Sequence, residues 1–212
     1  MDVRMFPVGP VQENCFLFNR EGSDRALMVD PGEEAPKLLA AIEELGLTLE
    51  GILLTHTHFD HVGAVAPMAR ATGAEVWVPE LEKQVLADIN AYVPWPGFGP
   101  FEDWDAEHTV RGGEQLQMAG FEIDVLFTPG HSPGHVTFSI PGEQVVFSGD
   151  VLFQGSVGRV DLPGGDWPTL LESIRSLVDG LPGATRVHPG HMGLTTLGAE
   201  QATNPFLAEL AR

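Results

Sequence analysis

The sequence predicts an α/β fold, an αββα sandwich in which two mixed β-sheets pack face to face and carry helices on their outer faces. Three observations predict it. Strand-type runs followed by helix-type runs occur twice along the 212 residues. A hydrophobic content of 43% is enough to bury a core between such layers. Clusters of His and Asp stand just after apolar runs, where ligand-bearing loops lie in layered α/β folds. No tandem repeat, low-complexity tract or linker interrupts the chain, so residues 1–212 read as a single domain.

The first three short runs, Val3 to Val8, Cys15 to Asn19 and Ala26 to Asp30, are separated by Gly, Pro, Asn and Asp, the pattern of an antiparallel meander. Glu34 to Leu45 then sets Leu38, Leu39, Ile42 and Leu45 at helical spacing, with acidic residues at its start and Gly46 as a stop. Gly51 to Thr55 is a buried-strand run that delivers a His/Asp cluster at its C-terminal end. Gly63 to Thr72 reads as a second helix, Glu75 to Val78 as a strand and Glu80 to Ile89 as a third helix. Ala91 to Asp105 is too rich in Pro and Gly for either. It reads as a loop anchored by Tyr92, Trp95, Phe98, Phe101 and Trp104, which either cover a core edge or form a lid over substrate.

Beyond Val110 the pattern returns to short strands, at Gln115 to Met118, Phe121 to Phe127, Val136 to Ile140 and Val145 to Ser148. Asp166 to Val178 is helical, with Leu170, Leu171, Ile174, Leu177 and Val178 on one face and Pro168 in the first turn. Thr185 to His188 is a last strand, and Ala199 to Leu210 a helical tail interrupted near Pro205.

Composition excludes several classes of partner. Eleven basic against 30 acidic residues leave a formal charge of -19, which repels phosphate backbones and provides no basic stripe, so nucleic acid is not expected. The N-terminus Met1 to Pro7 lacks a basic segment followed by a long apolar stretch, and no later run reaches bilayer length. No membrane partner is expected either. Cys15 is the only cysteine, so no internal disulfide can form, which fits the reducing cytoplasm expected for the chain.

The chemistry concentrates in His56-Thr57-His58-Phe59-Asp60-His61, where four potential ligands fall within six residues after a buried strand. A solvated loop gains little from such grouping, whereas a metal ion needs it. Three further candidates each follow an apolar strand and a glycine: His131 in Gly130-His131, Asp150 in Gly149-Asp150, and His191 in Gly190-His191. Seven ligands divide between two divalent ions. Imidazole and carboxylate donors suit zinc, iron, manganese or cobalt without choosing among them, and two divalent ions, zinc first and iron or manganese next, are the expected cofactors. His135 and His188, beside the ligands, either orient them or satisfy local backbone, and His108 reads as a surface or strand-end residue.

His56-x-His58-x-Asp60-His61, together with His131, Asp150 and His191 in that order, resembles the metallo-β-lactamase superfamily over nearly the whole chain. The stretch from Gly155 to Asp166, with Asn204-Pro205-Phe206, is similar to its glyoxalase II-like branch. The resemblance implies that His56, His58 and His131 hold the first metal, that Asp60, His61 and His191 hold the second, and that Asp150 bridges them. Asp60 and Asp150 are thereby the expected catalytic carboxylates and Arg159 the expected contact for a substrate carboxylate.

Two adjacent divalent ions share and activate a water, and a thiolate leaving group departs without obligatory protonation. The resemblance therefore implies a thioesterase acting on S-lactoylglutathione or a related hydroxyacyl thioester. Glutathione-specific members usually add a C-terminal helical domain, which is not expected here, and place tyrosines where Asp161 and Gly193 stand. Weak recognition of the glutathione tail is the expected consequence. The competing expectation is a persulfide dioxygenase of the same fold, with a similar Gly158-Arg159-Val160-Asp161 segment and one iron held by His56, His131 and Asp150.

Overall fold

The computed structural model describes residues 1–209. Two compact units divide the chain, the first formed by residues 1–110 and 117–121, the second by residues 111–116 and 122–212.

The first unit is built on a six-stranded mixed sheet. Strands β1 (Asp2–Val8), β2 (Glu13–Asn19) and β3 (Arg25–Val29) form the antiparallel meander, and β4 (Thr48–Leu53), β5 (Glu75–Pro79) and β6 (His108–Val110) continue it in parallel, in spatial order β1 to β6. Parallel neighbours need crossovers. Helix α1 (Ala35–Glu44) links β3 to β4, and α2 (Phe59–Val62) and α3 (Val65–Thr72) link β4 to β5. The core joins Leu17, Met28, Ile52 and Val76 from the strands to Leu38, Ile42, Val65 and Met68 from these helices. Burying each such side chain stabilises the fold by roughly 1.5–3 kcal/mol.

The third expected helix is a correction. Glu80 to Ile89 forms a 3-10 turn (Glu80–Glu82), a single α-turn, α4 (Lys83–Leu86), and a further 3-10 turn beginning at Ile89. The cause lies in two carboxylates. Glu82 turns inward to accept hydrogen bonds from Thr57, and Asp103 accepts the Ile89 N–H, a donor that a continuous helix would satisfy internally. The aromatic loop follows. Phe98, Phe101 and Trp104 pack against the core while Tyr92 and Trp95 stay exposed, so most of its rings cover a core edge.

A second six-stranded mixed sheet runs in the order β14-β13-β10-β9-β8-β7. Its strands are β7 (Gln115–Met118), β8 (Phe121–Phe127), β9 (Val136–Ile140), β10 (Val145–Gly149), β13 (Arg186–Pro189) and β14 (Thr195–Thr196). Strands β8, β9 and β10 are antiparallel neighbours, whereas β10 and β13 run parallel across α5 (Trp167–Gly180). Asp166 caps α5 by accepting the Thr169 N–H, and Leu170, Ile174 and Leu177 bury its inner face against Val146, Val187 and Leu197. A separate hairpin, β11 (Leu152–Phe153) with β12 (Ser156–Val157), leaves the sheet after β10. The expected tail helix is α6 (Leu197–Thr203), followed by a 3-10 turn over Pro205–Glu209, and Leu210 lies outside the described residues.

Candidate metal centre

In the first unit, β4 leads through Leu54 and Thr55 to His56, and buried carboxylates hold both sides of that turn. Asp30 follows β3 with φ of 49°, a left-handed conformation that Asp tolerates through local hydrogen bonding. Its Oδ1 accepts the Thr55 N–H at 2.8 Å, and its Oδ2 accepts the Thr55 hydroxyl at 2.6 Å and His61 Nδ1–H at 3.0 Å. With its own proton committed to Asp30, the Thr55 oxygen accepts from His56 Nδ1–H at 3.0 Å. Both imidazoles therefore carry the proton on Nδ1 and present Nε2 as a lone pair. Glu82 holds the other side, accepting the Thr57 N–H at 2.7 Å and its hydroxyl at 2.9 Å.

His56 Nε2 lies 3.1 Å from His58 Nδ1, and Asp30, His56 and His61 bring one ligand atom each within 4.8 Å of one another. Asp60, on α2, places Oδ2 3.9 Å from His61 Nε2. Glu13 is fully buried with Oε1 3.7 Å from His61 Nδ1, a second carboxylate beside that ring.

The second unit repeats this logic. His131, in the loop between β8 and β9, donates Nδ1–H to the carbonyl of Arg159 at 2.7 Å, which leaves Nε2 facing Asp150 Oδ2 at 3.4 Å. His191 Nε2 reaches the same oxygen at 3.5 Å, its ring edge-on to Phe153. One carboxylate oxygen thus has an imidazole nitrogen on either side. Asp150 is positioned by its backbone, whose N–H donates to His135 Nε2 at 3.1 Å, while His135 Nδ1 bonds the Thr128 hydroxyl. His135 accordingly orients a candidate ligand. His188 is packed on Phe147, and burial pushes its imidazole down to about 4, so it is neutral near pH 7. Arg159 is half exposed and paired through both nitrogens of one edge with Asp161, at 2.6 and 2.8 Å, and this partner holds the Asp161 carboxyl down at about 2.

The spacing suits metal ions. Two donors bound to one tetrahedral ion at about 2.0–2.1 Å stand roughly 3.3–3.4 Å apart. The His56–His58, His131–Asp150 and His191–Asp150 separations of 3.1, 3.4 and 3.5 Å match this. The Nδ1 protons of His56, His61 and His131 are each engaged by an oxygen, so these three rings need no tautomeric rearrangement to offer Nε2. Within the first unit the structure brings together His56, His58, Asp60 and His61, and within the second His131, Asp150 and His191. Asp30 and Glu82 escaped the sequence reading, since a lone acid after a strand or in a turn looks the same as any solvated acid. His108 is a partly exposed strand-end residue paired with Glu75 at 2.7 Å.

Comparison with known proteins places this geometry in a family. The metallo-beta-lactamase superfamily pattern matches residues 8–191. The chain is 38% identical over 220 aligned residues to hydroxyacylglutathione hydrolase GloC of Haemophilus influenzae, covering 98% of each. It superposes on BLEG-1 B3 metallo-beta-lactamase with a TM-score of 0.91 and 39% identity, covering 97% of this chain and 99% of that one. TTHA1623, solved in a di-iron-bound form, gives a TM-score of 0.85 and 45% identity over 96% and 100%. The α/β fold with two mixed sheets expected from the sequence is the fold observed, and the chain belongs to the metallo-β-lactamase superfamily.

Proposed function

We propose that the chain is a dinuclear metal-dependent hydrolase of glyoxalase II type, acting on S-lactoylglutathione or a related hydroxyacyl thioester. His56, His58 and His131 would hold one divalent ion and Asp60, His61 and His191 the other, with Asp150 between them. The observation that carries this reading is the shared locking of His56, His61 and His131, each with Nδ1–H engaged by an oxygen and Nε2 offered as a donor. The kinship with a protein named hydroxyacylglutathione hydrolase, at matching length, supports the thioester as substrate class.

When bound, two such ions would supply an activated water and positive charge for a developing oxyanion. The protein's own contribution is orientation. Asp30 fixes the His61 tautomer, the Arg159 carbonyl fixes that of His131, and His135 sets the backbone from which Asp150 extends. Arg159, its plane held by Asp161, would take a carboxylate of the substrate. The thiol half would meet little further recognition, because the tyrosines of glutathione-specific relatives are replaced by Asp161 and Gly193. No helix among the described residues is long and apolar enough to cross a membrane.

A second reading, a one-iron persulfide dioxygenase, is favoured by the Gly158-Arg159-Val160-Asp161 segment. One experiment separates them. Protein purified without added metal is analysed for metal content, then loaded with zinc or with iron and assayed on S-lactoylglutathione and on a thioester lacking the γ-glutamyl group, with oxygen monitored. The hydrolase reading expects two equivalents of metal and cleavage of both thioesters with similar kcat/KM. No thioester cleavage with either metal, alongside oxygen uptake on glutathione persulfide, would replace it with the dioxygenase.

A further inference from the structure

The Asn204-Pro205-Phe206 segment follows the last candidate ligand, His191, and no catalytic step accounts for it. Its neighbourhood is the short hairpin β11–β12. The two feet of that hairpin are the candidate centre itself. Asp150 stands two residues before Leu152, and Arg159, whose carbonyl holds His131, stands two residues after Val157. The feet touch. A Cβ at Gly158 would come within 1.9 Å of the Asp150 carbonyl oxygen and 3.2 Å of His131 Nδ1. Phe153 on the first strand meets the ring of His191. Any shift of this hairpin is therefore felt at Asp150, His131 and His191.

A hairpin with two residues per strand cannot hold its own geometry. It is held by a buried polar cluster instead. Glu200, on α6 and 2% exposed, accepts the Gly155 N–H at 2.8 Å and Asn204 Nδ2–H at 2.8 Å on Oε2, and the Thr195 hydroxyl at 2.5 Å on Oε1. Asn204, 4% exposed, donates Nδ2–H to the carbonyl of Ser156 at 3.0 Å and lies 3.4 Å from that of Phe153, while its Oδ1 accepts the Phe206 N–H at 3.0 Å. Together the two side chains bond the turn and both strands of the hairpin. Gly155 itself sits at φ +68°, so the turn depends on an anchored backbone.

We propose that Glu200 and Asn204 are positioning residues for the metal centre, latching the β11–β12 hairpin so that Asp150 and the carbonyl that orients His131 stay in register for metal binding. The inference rests on the two-metal reading above for its ligand set. It also specifies the chemistry of the latch. The donor and acceptor pattern matters and the negative charge does not, because a glutamine at 200 can keep its carbonyl toward Gly155 and Asn204 and donate its amide to Thr195, whose hydroxyl rotates to accept. An aspartate at 204 cannot serve, since it has no proton for Ser156 or Phe153 and faces the Glu200 carboxylate.

The test measures the rate at which a colorimetric chelator strips zinc from the loaded protein, with the melting temperature of the metal-free form taken in parallel. Glu200→Ala and Asn204→Asp should lose zinc about tenfold faster or more, the range seen when outer partners of metal ligands are removed, whereas Glu200→Gln should stay within about twofold of the parent. Ile42→Val, which trims the separate core of the first unit rather than the cluster that holds Leu152, serves as a stability control expected to lower melting without hastening zinc loss. Zinc retention equal to the parent in both Glu200→Ala and Asn204→Asp would reduce the cluster to ordinary packing. A Glu200→Gln variant as leaky as Glu200→Ala would overturn the latch in favour of a charge effect. A parent protein that binds neither zinc nor iron would overturn both this proposal and the two-metal reading, whereas a zinc-loaded parent whose variants release metal no faster overturns the latch alone.

Discussion

Asp30 shows how much of the centre depends on a residue that is not among the seven candidate ligands. Its carboxylate accepts three hydrogen bonds, and the one from His61 Nδ1–H decides which nitrogen of that ring is available as a donor. Asp30→Asn nearly preserves shape but alters that decision. With the Asn oxygen kept on the Thr55 N–H, the amide faces Thr55 Oγ1 and His61 Nδ1 as a donor, so His61 must accept there and move its proton to Nε2. The variant should bind metal about 10–100-fold more weakly, in line with losses on removing a ligand's outer partner, with little change in the melting temperature of the metal-free protein. A calorimetric metal titration checks it, and parent-like affinity would show that the His61 tautomer is set elsewhere. His56 and His131 owe their orientation to a hydroxyl and a backbone carbonyl, which cannot be exchanged for an amide in the same way.

At the scale of elements, the candidate ligands of the second unit stand on loops at strand ends that pack without room for adjustment. Gly158 follows β12 so closely under Asp150 that no side chain fits. Gly158→Ala should cost about 1–3 kcal/mol or more through overpacking and weaken metal retention sharply. Gly180→Ala, at the end of α5 with nothing within 4 Å, should be neutral or slightly stabilising. Thermal melts and metal content of the pair decide it, and similar behaviour in both variants would refute the tight fit at Gly158. The limits of the sequence are clearest among these same elements. Strands β7, β8 and β9 and helix α5 were legible because four or more residues carry a hydrophobic period, and His56, His58, Asp60 and His61 were legible as a candidate site because donors that a core rejects are grouped after a buried strand. Strands β6, β11, β12 and β14, of two or three residues, are too short to show any period. The expected third helix broke up because Glu82 and Asp103 were recruited as hydrogen-bond acceptors, and a contact between residues so far apart in the chain leaves no local signature. Asp30, Glu200 and Asn204 were invisible as positioning groups for the same reason.

For the whole molecule, the candidate ligands run from His56 to His191, so metal binding should be a large part of what stabilises the folded chain. The unfolded chain cannot present seven donors in register, so each ion binds the native state almost exclusively. An ion present at about a thousand times its dissociation constant adds roughly 4 kcal/mol, and for a chain of about 200 residues each kcal/mol raises the melting temperature by about 2–4 °C. On the two-metal reading, removing both ions with a chelator should therefore lower the melting temperature by about 15 °C or more, and adding back zinc in excess should restore it in two resolvable steps if the two sites differ in affinity. Asp150→Ala should lose most of this increment, because its one oxygen has an imidazole donor on either side, while a single terminal ligand such as His58 should account for only part of it. Scanning calorimetry of parent, His58→Ala and Asp150→Ala, each with and without chelator, reads the increment directly. A melting temperature indifferent to chelator in a parent shown to contain metal would place the ions on the surface, and an Asp150→Ala protein with the parent's full increment would remove Asp150 from its place between them.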